Sequence, residues 1–132
     1  MSRRLPGRTV EQVRGWLFDH AFPFWSSVGV DPGLGFVERL DRQGRPDREV
    51  PFKRMRVQSR QIYVFCQAQA LGWSGGLEAA RQGYDFILAH GRRPQGGFAR
   101  TLGREGGVLD PALDIYDQAF RSEEHTSELQ SH

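Results

Sequence analysis

In the stretch "KRMRVQSRQIYVFCQAQALG", Arg56, Arg60, Tyr63 and Gln67 recur at helical spacing. At 100° per residue they fall within about a 60° arc of the helix wheel. Val57, Ile62, Val64, Phe65 and Ala68 spread over much of the remaining circumference, with Gln58, Gln61 and Gln69 among them. An ordinary surface helix shows one apolar stripe and a wide charged face. This pattern instead describes a helix packed on most sides, with a narrow polar seam. Guanidinium, phenol and amide groups gathered in one seam suit a wet concave site that holds hydroxyl or carbonyl oxygens. The same residues also fit a solvated face whose Arg stems cover their neighbours. The wheel does not separate these two readings.

Other chemistries find less support. Cys66, His20 and His90 do not stand at metal-ligand spacing. "GLGFVE" lacks the third glycine and the strand–helix context of a nucleotide-binding loop. No cofactor and no metal are expected. Cys66 is the sole cysteine, which excludes an internal disulfide framework and fits a reducing compartment; the expected location is cytoplasmic. No apolar run approaches membrane-spanning length, and no apolar stretch follows the basic N-terminus as in a signal peptide. All of the 18 basic residues except Lys53 are arginine, a skew that a GC-rich genome also produces. They are interleaved with acids, as in "VERLDRQGRPDRE", so no nucleic-acid partner is expected.

The elements that must position the seam follow from caps and breakers. The length of 132 residues suits one domain. Thr9 and Gln12 fit a capping box for a first helix, with Val10, Val13, Leu17, Ala21 and Phe24 as its apolar face. Pro23 should kink or end it. "VGVDPGLG" reads as a loop, and "GFVERLDRQGRPD" as a short strand, a turn at Gln43-Gly44 and a second extended piece. The second helix is predicted from about Lys53 to Leu71, stopped by Gly72. A third spans roughly Leu77 to His90, with Ala80, Tyr84, Ile87 and Leu88 on one face. "DPALDIYDQAF" is predicted to open a fourth helix, with Asp110 as N-cap and Pro111 at its first position.

An internal repeat runs through this plan. "GFVERLDRQG" from Gly35 matches "GFARTLGREG" from Gly97 in Gly, Phe, Arg, Leu, Arg and Gly, an offset of 62 residues (35 to 97). Repeated helical units that cannot close a core alone belong to a longer array or a closed ring. One and a half copies is too few, so the sequence is expected to be part of something longer.

Together, "GLGFVERLDRQGRP", "FKRMRVQSRQIYVFCQAQALGW", "GYDFILAHGRRPQGGF" and "LDIYDQAF" resemble the N-terminal third of N-acylglucosamine 2-epimerase family proteins, over Leu17 to Phe120. The resemblance implies an all-α fold, the N-terminal part of an (α/α)6 toroid whose helical hairpins carry short β-hairpin insertions. It would make the second helix an inner one and its seam the lumen face. Such enzymes open a sugar ring and abstract a proton next to the carbonyl, so the implied partner is a small-molecule sugar. The resemblance assigns Arg60 to the position beside the sugar oxygens. A fixed guanidinium there would stabilise the negative charge that develops on an enediolate. Arg56, Tyr63, Tyr116 and Gln118 would be further substrate contacts. Many isomerase members have His where Gln118 stands, and Gln is closer to the cellobiose epimerase branch. The family's catalytic histidines belong to later helices, and neither His20 nor His90 matches one. The chain as written is therefore expected to be inactive.

The segment Arg121–His132 has no aromatic residue and one aliphatic, Leu129, where a helix should continue. Arg121–Ser131 resembles the translation of a common short-read sequencing adapter. The expected domain is thus 1–120, with 121–132 an artefactual tail on which His125 and His132 carry no function. Two other classes fit parts of the sequence. A toroid glycoside hydrolase would need paired carboxylates, for which Asp114 and Asp117 are the close candidates. A small helical binding module would be complete as written.

Overall fold

The computed structural model describes residues 9–113. Its elements are α1 (Val10–Trp16), a π turn (Leu17–Ala21), α2 (Phe22–Ser27), β1 (Phe52–Arg54), α3 (Met55–Ala70), α4 (Gly76–His90), β2 (Ala99–Gly103) and β3 (Val108–Leu113). The three strands form an antiparallel sheet in the order β1-β2-β3. The described part is therefore helical with a small sheet: β2 and β3 form a short β-hairpin of the expected kind, and β1 extends it to three strands.

The capping box at Thr9 is present: the Thr9 hydroxyl accepts from the Gln12 amide, and the Gln12 side chain accepts from the Thr9 amide. Pro23 does not end this helix. The π turn before it shifts the bonding, with the Phe22 N–H reaching back to Leu17 O, and the chain continues helical to Ser27. A wider turn just ahead of proline accommodates the missing donor without breaking the rod. The buried face matches the expected one only in part. Leu17 packs against the core as expected, but Val10 is 82% exposed and Val13 and Phe24 are exposed, while Phe22 is buried and Phe18 and Trp25 pack against the core.

α3 and α4 form the hairpin at the centre. Gly72, at φ +109°, turns the chain after α3, and the Trp73 N–H reaches back to Ala68 O, closing the helix end. The helices approach closely at Gly76, where a Cβ would lie 2.5 Å from Phe65 O on α3. Phe36, Ile62, Phe65, Ala80, Ile87 and Leu102 are fully buried in one core cluster. Phe36 stacks on Phe65 with ring centroids 5.8 Å apart.

The sequence repeat is also a repeat of hydrogen bonds. Asp31 N–H donates to Gly35 O and Val37 N–H to Gly29 O; 62 positions on, Arg93 N–H donates to Gly97 O and Ala99 N–H to Gly91 O. The glycines that open each copy, Gly35 and Gly97, share φ of +75° and +73°, which a side chain would strain. The copies differ in their pairing. Both open on an isolated bridge, Val30↔Phe36 and Arg92↔Phe98, but the first continues only with the bridge Leu40↔Pro46, while the second forms the β2–β3 pair, whose register shifts around Thr101. β1, which leads into α3, pairs with β2 of the second copy and locks the two units together.

The expected fourth helix does not begin at Asp110. Asp110 and Pro111 lie in β3, with Asp110 opposite Thr101 and its carboxylate accepting from the Ala112 N–H. β3 is at the edge of the three-stranded sheet, where proline's missing donor is tolerated. The remainder of "LDIYDQAF", from position 114, lies outside the described residues.

Candidate functional site

α3 starts directly from β1. Arg54 is its N-cap, and the Glu38 carboxylate accepts both the Arg54 backbone N–H and its Nε–H. A carboxylate at this end also complements the helix dipole. This contact ties the first β-turn unit to the start of the seam-bearing helix.

On α3, Met55, Gln58, Ser59, Ile62, Phe65, Cys66 and Ala68 are buried. Arg56, Arg60 and Gln67 are exposed, and Tyr63 is half-buried. The seam thus stands on the side of α3 away from the buried arc. Val64 is 41% exposed and Val57 half-buried, so among the described residues α3 packs on about half of its surface, less than the wheel implied. Arg56 and Tyr63 both make contacts, and no carboxylate among the described residues pairs with Arg60. Tyr116 and Gln118 lie outside the described residues, as do Asp114, Asp117, His125 and His132. His20 is exposed on the π turn, and His90 is exposed at the end of α4 with its ring 5.1 Å from that of Phe86.

Of the three buried polar residues among those described, Lys53, Gln58 and Ser59, the first two make hydrogen bonds that the sequence reading did not anticipate. Gln58 is fully buried, and its amide spans the Phe36 backbone: Phe36 N–H donates to Oε1 at 3.0 Å, and Nε2 donates to Phe36 O at 2.8 Å. Lys53 is 1% exposed in β1. Its ammonium donates to Asp31 Oδ2 at 3.0 Å and to Leu34 O, and lies 5.0 Å from the centre of the Phe86 ring. Burial holds the Lys53 amine below its ordinary value, opposed by the hydrogen bond and charge of Asp31. The only available signal was that Lys53 is the one lysine in an arginine-rich chain. Both residues fasten the 29–37 turn onto α3 and β1. Among the described residues no group of three His, Cys, Asp or Glu could hold a metal ion, and no helix is long and apolar enough to cross a membrane.

An α3–α4 hairpin flanked by matched β-turn units, with an arginine seam on α3, defines the class: a repeat-built helical domain that presents a polar helix face. A sequence profile of N-acylglucosamine 2-epimerase (GlcNAc 2-epimerase) matches residues 35–122. The chain belongs to this family. It is 38% identical over 112 residues to a mannose-6-phosphate isomerase of Rhizobium meliloti (strain 1021), covering 83% of this chain and 28% of that protein. The fold is similar to that of cellobiose 2-epimerase from Spirochaeta thermophila DSM 6192, with a TM-score of 0.73 and 27% identity over 83% of this chain and 27% of the other. It also resembles a D-mannose isomerase, with a TM-score of 0.74 and 20% identity over 89% of this chain and 30% of that one; at this identity the likeness is one of fold. The chain thus spans under a third of each of these relatives.

Proposed function

We propose that the whole protein is a carbohydrate 2-epimerase or aldose–ketose isomerase, acting by proton abstraction next to the carbonyl of a ring-opened sugar. The observation that carries this reading is the exposed arginine seam of α3, which falls within the region matched to the family. In the proposed site α3 is an inner helix of an (α/α)6 ring, and Arg60 binds the oxygen on which enediolate charge develops. Its planar fork can donate two N–H groups at once to that oxygen and a neighbour, which an ammonium does with less geometric definition. Arg56, Tyr63, Tyr116 and Gln118 are proposed sugar contacts. We take residues 121–132 to lie outside the catalytic domain, the protein to be cytoplasmic, and its ligand to be a small sugar rather than nucleic acid or membrane.

The test is expression of the full reading frame and incubation with mannose, cellobiose and N-acetylglucosamine in deuterated water. Proton abstraction incorporates deuterium at C2 of the substrate. Arg60→Lys should lower kcat by about 10²–10³-fold, as loss of an oxyanion donor does. Residues 1–132 alone should incorporate none. Failure of every sugar to exchange refutes the reaction; full exchange by Arg60→Lys refutes the role of Arg60.

A further inference from the structure

A cavity of about 360 Å³ lies between the end of α2, the 37–50 turn unit and β1, within the size range of small-molecule pockets, about 300–1,000 Å³. None of the seam residues lines it. Its apolar wall includes Val37, Val50 and Phe52, the two valines buried.

The charges around it are unequally used. Each carboxylate of the lining is engaged: Asp31 by Lys53 and Arg104, Glu38 by Arg54, and Asp47 by Arg39 and the Glu49 N–H. Arg54 and Arg39 are not part of the lining, so they neutralise Glu38 and Asp47 from outside it. Four cationic side chains line the same space: Arg45, Arg48, Lys53 and Arg104. Lys53 is buried and already bonded. Arg45 touches the Asp41 carboxylate at 3.4 Å and the Gln43 amide oxygen at 3.2 Å, and it is exposed. Arg48 is exposed and has no ion pair or hydrogen bond among the described residues. A guanidinium carries five N–H donors and no acceptor. The cavity therefore has spare donors and no spare carboxylate, so it repels a cation and attracts an oxyanion.

We propose that this cavity binds a small amphipathic anion, whose carboxylate or phosphate oxygens meet Arg45 and Arg48 and whose apolar body covers Val37, Val50 and Phe52. This site is separate from the α3 seam and does not depend on the sugar chemistry proposed for it. The apolar wall selects for a ligand with a hydrocarbon body, and the guanidiniums select for its charge. Neither feature alone would discriminate such a ligand from free phosphate or from a neutral aromatic.

The probes are benzoate, phenyl phosphate, inorganic phosphate and neutral benzyl alcohol, titrated into the ¹⁵N-labelled protein expressed from the full reading frame and followed by amide resonances. Saturable shifts at Val37, Arg48, Val50 and Phe52 are expected with benzoate or phenyl phosphate, and the tighter of the two identifies the oxyanion. Inorganic phosphate and benzyl alcohol should each bind at least tenfold more weakly than that probe. Arg48→Ala and Arg45→Ala should each weaken it about tenfold, and Arg42→Ala, on the same turn but outside this lining, should not. Both arginines are exposed, so loss of binding with an unchanged spectrum reports the site and not the fold. The proposal is overturned by any of three results: no saturable shift at these amides, unaltered binding to both variants, or binding of benzyl alcohol or inorganic phosphate as tight as that of the aromatic anions.

Discussion

Replacing Gln58 tests how the first turn unit is held to α3. The Gln58 amide is the partner of both the N–H and the C=O of Phe36, at 3.0 and 2.8 Å, in a region with no solvent exposure at either residue. The neighbouring bridge bonds run through Gly35 and Val37 and do not reach these two groups. Leucine has a similar volume and cannot bond. Gln58→Leu therefore orphans one buried donor and one buried acceptor, each costing about 1–3 kcal/mol. Added together the loss is about 2–6 kcal/mol, a large share of the roughly 5–15 kcal/mol that holds a typical domain. Gln58→Ala opens a void into which water can move, so it should cost the same or less despite removing more atoms. Urea unfolding followed by the fluorescence of half-buried Trp25 and Trp73 reads the change, with exposed Val10→Ala as a control expected within about 0.5 kcal/mol of the parent. The Phe36 amide should also lose protection from hydrogen exchange. A Gln58→Leu protein within 1 kcal/mol of the parent, with Phe36 still protected, would refute the clamp.

Asp31→Asn removes the carboxylate from the buried Lys53 and should destabilise more than Lys53→Met, which removes the buried charge itself. Because burial lowers the Lys53 pKa, the unfolded chain binds more protons above that lowered value, so stability should rise with pH from there towards 10.5. Lys53→Met should flatten that rise in unfolding measured across alkaline pH. Gly76→Ala would put a Cβ 2.5 Å from the Phe65 carbonyl and 2.6 Å from the Gln69 amide nitrogen, and should cost about 1–3 kcal/mol by thermal unfolding. Gly15→Ala meets nothing within 4 Å and should stabilise by about 0.5–1 kcal/mol. Backbone N–H groups of Arg45 and Gln43 hold the Asp41 carboxyl below its ordinary value of 3.8, and the Arg39 side chain with the Glu49 N–H does the same for Asp47. Their contribution is present above about 3.8 and is lost as pH falls through the lowered values; carboxyl chemical shifts with midpoints at or above 3.8 would contradict this.

The boundaries set by local chemistry were legible in the sequence. The Thr9–Gln12 capping box, the Gly72 stop and the two central helices depend on residues within a few positions of one another and are all present, although the second helix begins at Met55 and leaves Lys53, read as its first residue, in β1. The 62-residue repeat was legible because the same glycines and aromatics make the same turns in both copies. So was the family, carried by several strings whose combination is specific. What the tertiary structure alone decided lies at longer range. Gln58 and Lys53 are polar, and nothing near them in sequence marks their partners, each of which lies 22 residues away. The first helix kept Leu17 of its predicted face inward but left Val10, Val13 and Phe24 exposed, because Phe22 joins the aromatic cluster with Phe65 and Trp73. Asp110-Pro111 satisfies the local rule for starting a helix, yet the open edge of β2 offers it a ladder of partners. Local rules define what a segment can do, and the partner that reaches it across the fold selects among those options.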